Sequence, residues 1–198
     1  MLRSLSLRLA VPTFLIACAP ADGIAPDAEE TGLPVDTDTA AEELVNPVPW
    51  RIVINELQAS NPSLNVDPDD SEATPDWLEL YNPETFAISL AGLFVSDDPD
   101  TPLKHPLPDV DIEPGGFLLL IADGDPDAGP THVDFKLSSE GETVGVYTES
   151  GAPLDRIMFE NLGDGQVAGR LPDGGPLSLL SPATPGETNT TAEVLEGP

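Results

Sequence analysis

Asp76-Trp77-Leu78-Glu79-Leu80-Tyr81, closed by Asn82-Pro83, is the stretch whose reading decides the fold. Its aromatic and aliphatic residues alternate only in part. An extended chain places Trp77, Glu79 and Tyr81 on one face and Leu78 with Leu80 on the other. Trp77 and Leu80 are both expected to face the core. A carboxylate beside a buried indole is tolerable only if Glu79 finds backbone or Asn donors near the end of the sheet.

Working outward, Arg51-Ile52-Val53-Ile54-Asn55-Glu56-Leu57 and Thr143-Val144-Gly145-Val146-Tyr147 have the same β-branched and aromatic character. Further apolar runs cover residues 88–95, 116–122, 133–137, 154–159 and 166–170. No run holds a helical period. Pro114-Gly115-Gly116, Ser150-Gly151, Asp164-Gly165 and Pro172-Asp173-Gly174 supply residues suited to tight turns. Many short strands at regular spacing predict an all-β, antiparallel sandwich or barrel. Aromatic residues make up 5% of the chain, so Leu, Ile and Val must fill most of the core, helped by Trp77, Phe94, Phe117, Phe135 and Phe159.

The order of several short motifs resembles the lamin tail domain in its bacterial form. Ile54-Asn55-Glu56-Leu57, the Asp76–Pro83 stretch, Leu90-Ala91-Gly92-Leu93 and Ser96-Asp97-Asp98 match its first half. Ile112-Glu113-Pro114-Gly115-Gly116-Phe117, Ala122-Asp123-Gly124-Asp125, His132 with Phe135-Lys136-Leu137-Ser138, Gly141-Glu142, Gly169-Arg170, Pro172-Asp173-Gly174 and Thr184-Pro185-Gly186 with Asn189 match its second. Together they span residues 51–189. The resemblance implies an immunoglobulin-like β-sandwich at residues 50–189, followed by a disordered tail at 190–198. It also implies an exported, surface-attached module of the kind often joined to hydrolases. Nothing in these residues reads as a coiled-coil rod, so filament assembly does not carry over.

The first 17 residues read as a lipoprotein signal peptide. Arg3 and Arg8 precede an apolar stretch at residues 9–17, too short for the roughly 20 residues a bilayer requires, and no acid occurs before Asp22. Leu15-Ile16-Ala17-Cys18 resembles a lipobox, which makes Cys18 the expected lipid attachment site and places the protein on the outer membrane or cell surface. Cleavage after Ala19-Pro20-Ala21 is the alternative, giving a soluble secreted chain. With one cysteine, no internal disulfide can hold the fold. Residues 18–49 are rich in Asp, Glu, Pro, Ala and Thr without period, and are expected to form a disordered acidic linker about 100 Å long at full extension.

Thirty-six acidic residues stand against seven basic ones, for a formal charge of −29. Nucleic acid is excluded as an expected partner, because phosphate binding needs clustered Lys and Arg. The membrane, through its anchor, and a protein or polysaccharide ligand are the expected partners.

No Gly-x-Ser-x-Gly, His-Glu-x-x-His, paired Cys-x-x-Cys or phosphate loop occurs, so no catalytic residue is assigned and the chain is not read as an enzyme. His132 and Asp134 fall on one face of an expected strand, where a structural hydrogen bond competes with transition-metal binding. Calcium is the sharper metal reading. Asp123, Asp125 and Asp127 alternate along one loop and Asp134 falls twelfth, resembling a calcium loop with its glycine displaced. The competing reading is that these aspartates cap their own turns. Asp67, Asp69, Asp70 and Glu72 form a second acidic cluster, and Asp97, Asp98 and Asp100 a third. The expected function is a non-enzymatic, membrane-anchored binding or structural module. The alternative is an accessory or degenerate component of an extracellular metal-dependent hydrolase system, favoured by carboxylates gathered around His132.

Overall fold

The computed structural model describes residues 48–195. The signal peptide, Cys18 and nearly all of the linker expected from the sequence lie outside these residues. Among the described residues twelve strands form antiparallel ladders. They are β1 Val53–Gln58, β2 Asp76–Tyr81, β3 Ile88–Ser89, β4 Leu93–Ser96, β5 His105–Pro106, β6 Asp111–Ile112, β7 Phe117–Ala122, β8 Gly141–Thr148, β9 Pro153–Glu160, β10 Val167–Arg170, β11 Leu177–Ser181 and β12 Glu193–Val194. One sheet of six strands runs β12-β11-β10-β1-β2-β7, a second of four runs β5-β4-β8-β9, and β3 pairs with β6. No α-helix occurs among the described residues, so the all-β reading holds.

The two larger sheets pack face to face as a sandwich. Ile54, Leu57, Leu78, Leu80 and Leu120 from the six-stranded sheet share one buried cluster with Leu93, Val95, Val144, Val146 and Ile157 from the four-stranded sheet. An ion pair ties the layers at one side. Arg170 on β10 donates through Nη2 to both oxygens of Asp155 on β9 at 3.0 Å and through Nε to the Ile54 carbonyl at 2.9 Å. Asp155 also accepts from the Ile54 amide at 2.8 Å. Burial pushes the Asp155 carboxyl up, and the Arg170 charge opposes that rise.

The incomplete alternation of the first strand has a local cause. The β1–β2 register shifts between Ile54 and Glu56, a β-bulge that places one extra residue on β1. The bulge lets Ile54 and Leu57, three residues apart, both face the sandwich interior. Asn55 and Glu56 are turned to the other face, where both are wholly buried.

That other face of the six-stranded sheet is covered too. Trp77, Val167, Leu180 and Ala192 form a second buried cluster, packed by Leu64 and Val66 from the β1–β2 connection and by Ala183 from the chain after β11. Trp77 and Leu80 are therefore both buried, but on opposite faces of β2. The indole Nε1 donates to Gln58 Oε1 at 3.1 Å.

Two expectations need correction. Residues 133–137 are no strand; only the isolated bridges Ile121↔His132 and Asp123↔Lys136 attach this segment along β7. Nor does a separate tail begin at 190. Asn189–Thr191 makes one 3₁₀ turn, Ala192 is buried, and β12 pairs with Leu180 and Ser181 of β11.

Candidate functional site

Two buried polar assemblies stand out, each completed by a connection that packs on the six-stranded sheet. The first surrounds His132. The β7 strand ends at Ala122, so Asp123 is the first residue to leave the sheet. The Thr131 carbonyl accepts from the Ile121 amide, and the Val133 amide donates back to the Ile121 carbonyl, both at 2.8 Å. This clamp lays His132 against the end of β7 and buries it to 2% exposure. Its Nδ1 stands 2.8 Å from Asp123 Oδ2. Asp123 Oδ1 accepts from the Asp125 amide at 2.9 Å, which fixes the carboxylate as the cap of its own turn.

Asp67 arrives from the long β1–β2 connection. Its Oδ1 accepts from the Asp69 amide at 2.8 Å and the Asp70 amide at 3.3 Å, and the residue is 7% exposed. Asn61 braces the same connection, its Nδ2 donating to the Leu64 and Pro75 carbonyls at 2.6 and 2.8 Å. Asp67 Oδ1 and His132 Nε2 are 3.9 Å apart, beyond hydrogen-bond reach. The Nε2 atom is buried without a hydrogen-bond partner. An orphaned buried polar atom costs on the order of 1–3 kcal/mol, so this one requires an explanation. Asp67, Asp123 and His132 present metal-competent atoms all within 4.8 Å of one another.

The residues assigned from sequence divide. Asp123 belongs to this group. Asp125 and Asp127 are exposed on the loop beyond it, and Asp134 is exposed with its Oδ1 3.7 Å from His105 Nδ1. Burial pulls the His105 imidazole below its ordinary value, against the opposing effect of Asp134. His132 thus pairs with Asp123 in place of Asp134. Asp67, noted in the sequence only as a member of an acidic cluster, is the residue spacing cannot join to His132, because 65 positions separate them.

The second assembly is a row of carboxylates beneath residues 184–189. Glu56 and Glu79 are directly opposite each other on β1 and β2, and both are wholly buried. Glu56 accepts from the Thr184 amide and hydroxyl at 3.2 Å, and Glu79 Oε2 accepts from the Gly186 amide. Asp173 accepts from the Asn189 amide at 2.9 Å and from Asn55 Nδ2 at 3.1 Å. Gly186 has a φ of 78°, a backbone state that favours glycine, and this turn aims its amide at Glu79. Gly169 matters for a different reason. A Cβ there would stand 2.7 Å from Leu180 Cδ1 and 3.3 Å from Asn189 Nδ2, so a side chain would push both residues aside.

Burial pushes Glu56 up to about 7 and Glu79 up to about 8, each against the hydrogen bonds it accepts. Glu79 meets the condition set by its sequence position, with Asn55 Nδ2 at 3.4 Å from Oε1 and a backbone amide on Oε2. The row joins β1, β2 and the C-terminal segment, and it lies under cover, where it holds the fold together.

Comparison of the sequence with protein families and with curated proteins finds no match.

Proposed function

We propose that this chain is a non-enzymatic, membrane-anchored module of lamin-tail type, displayed on the envelope or cell surface, where it binds a protein or polysaccharide partner. The filled sandwich is the observation that carries this reading: apolar side chains from both sheets occupy the interior, and the carboxylate row is covered by the chain itself. A surface hollow between β8 and β9 measures about 420 Å³ and is rimmed by Glu140, Glu142, Glu160 and the exposed Met158. The extreme negative charge favours a neutral or cationic partner and keeps such a module soluble at a crowded surface.

The calcium expectation at Asp123, Asp125, Asp127 and Asp134 loses Asp134, which stands beside His105, and enters the proposal as a loop-stiffening ion on the Asp123–Asp127 turn alone. The accessory-hydrolase alternative is favoured by one observation, the gathering of Asp67 and Asp123 around His132. Phase separation of wild type and Cys18→Ser in detergent tests the anchor. Wild type is expected in the detergent phase and the variant in the aqueous phase. Identical partition of the two ends the anchored reading.

A further inference from the structure

We propose that Asp67 and His132 form a binding site for a zinc-class divalent transition ion, oriented by Asp123. Asp123 Oδ2 lies 2.8 Å from His132 Nδ1, so Nδ1 carries a proton and donates it to the carboxylate, and Nε2 is the nitrogen left to bind an ion. In the neutral imidazole Nε2 then has a bare lone pair. The lone pair is buried, has no partner, and faces Asp67 Oδ1 at 3.9 Å. Two electron-rich atoms held face to face in the protein interior repel each other unless a proton or a metal ion lies between them, and an ion bound by both takes the place of the proton.

The spacing suits such an ion. Ligand atoms about 2.0–2.1 Å from a tetrahedral zinc stand roughly 3.4 Å apart, so a closure of about half an ångström completes the pair. A carboxylate on the remote imidazole nitrogen is the usual means of orienting a metal-ligating histidine and raising its basicity. Imidazole nitrogen also selects the class: calcium and magnesium take oxygen ligands, whereas zinc accepts mixed nitrogen and carboxylate sets.

Gly129 approaches the same edge of the imidazole closely. A Cβ at that residue would stand 3.1 Å from His132 Cδ2, 3.6 Å from Nε2 and 3.9 Å from Asp69 Oδ2, so a side chain here would press on the imidazole. The exposed Asp69 carboxylate also lies near Gly129. This site is distinct from the Asp125–Asp127 loop, and it stands or falls independently of the binding-module reading.

The test is calorimetric titration of zinc chloride into the full chain carrying Cys18→Ser, which removes the thiol as a competing ligand. One zinc per chain with a Kd in the micromolar range or tighter is expected, with a rise in melting temperature that calcium and magnesium chloride do not reproduce. Asp67→Asn keeps the acceptor oxygen for the Asp69 and Asp70 amides, so it preserves the loop while weakening zinc at least tenfold. His132→Gln should abolish binding, and Asp125→Asn/Asp127→Asn should leave it unchanged. In cobalt-substituted wild type, visible d–d bands should appear and be lost in Asp67→Asn. Zinc affinity unchanged in Asp67→Asn, or no binding by wild type at 100-fold molar excess of zinc, overturns the proposal.

Discussion

Glu79→Gln isolates the energetic role of the covered carboxylate row. Glu79 is raised from 4.5 to about 8, first by burial and further by the charges of Glu56 and Asp173, while the Gly186 amide and Asn55 oppose the rise. An acid raised in this way stays protonated in the fold after the unfolded chain has ionised. The native state then holds more protons, so stability falls as pH rises. The contribution is fully present below 4.5 and is lost by about pH 8. Each tenfold change in proton affinity is about 1.4 kcal/mol, so the displacement corresponds to about 4–5 kcal/mol. Glu56 acts in the same direction, but its charge is among the causes that raise Glu79, so the two displacements do not add. At roughly 3 °C per kcal/mol for a domain of this size, the effect on melting temperature is on the order of 10 °C. Gln retains an oxygen for the Gly186 amide and removes the ionisation. Thermal melts at pH 5, 6, 7 and 8 and constant ionic strength should show wild type losing melting temperature faster than Glu79→Gln. Repulsion among the remaining surface charges acts on both proteins and drops out of the difference. Parallel curves would refute the reasoning, since they would mean that Glu79 is solvated or compensated in the fold.

Trp77→Ala removes a wholly buried indole from the outer cluster and its bond to Gln58, and should cost about 3–5 kcal/mol by denaturant titration; a cost below about 1 kcal/mol would place the ring at the surface. Arg170→Met leaves Asp155 buried between the sheets without its cation and should cost about 3–5 kcal/mol, with Arg170→Met/Asp155→Leu recovering part of the loss. If the double variant is no better than the sum of the singles, the pair is not coupled. Calcium bound by the Asp123 loop would stabilise the fold by about 2.7 kcal/mol at a hundredfold excess over Kd, and Asp125→Asn/Asp127→Asn would lose that gain. Equal melting curves with calcium and with chelator would leave these aspartates as turn caps.

The strands that alternate or run continuously apolar were legible in the sequence because side-chain period and burial coincide in them. β2, β7, β8, β9 and β10 fall within a residue or two of the runs at 76–81, 116–122, 143–147, 154–159 and 166–170. The run at 88–95 divides into β3 and β4, because a turn at Ala91 and Gly92 interrupts it. β11 escaped notice because Leu177 and Ser178 carry too little pattern, although the strand pairs with the neighbouring β10. Residues 133–137 alternate like a strand, with Val133, Phe135 and Leu137 buried and Asp134 and Lys136 exposed. Period 2 reports which side chains point inward, and it does not report whether a neighbour completes the ladder. The His132 group was half legible. Asp123 and His132 stand in one short segment, whereas Asp67 is delivered by a connection whose path depends on Asn61 and on its own turn caps.

The same physics explains why β2 could not be assigned one buried face. In a sandwich with one solvated face per sheet, a strand reading Trp-Leu-Glu-Leu must expose either the indole or the leucines. Here the six-stranded sheet has cover on both sides, the four-stranded sheet on one and the connections at residues 59–75 and 182–192 on the other. Those connections are poor in apolar side chains, so they cover Trp77 with a few hydrocarbon contacts and satisfy the rest of the face through backbone amides. Thr184, Gly186 and Asn189 each bring an amide to an acid, and Asp67 binds two amides of its own loop. A buried carboxylate is therefore the natural partner of a covering loop that has amides to satisfy and little hydrocarbon to bury. Both acids of the Glu56–Glu79 pair have amide donors, and so does Asp67. His132 Nε2 and the Tyr147 hydroxyl have none, and of these two it is His132 Nε2 that stands among metal-competent carboxylate oxygens, those of Asp67 and Asp123, which is why it points to an ion.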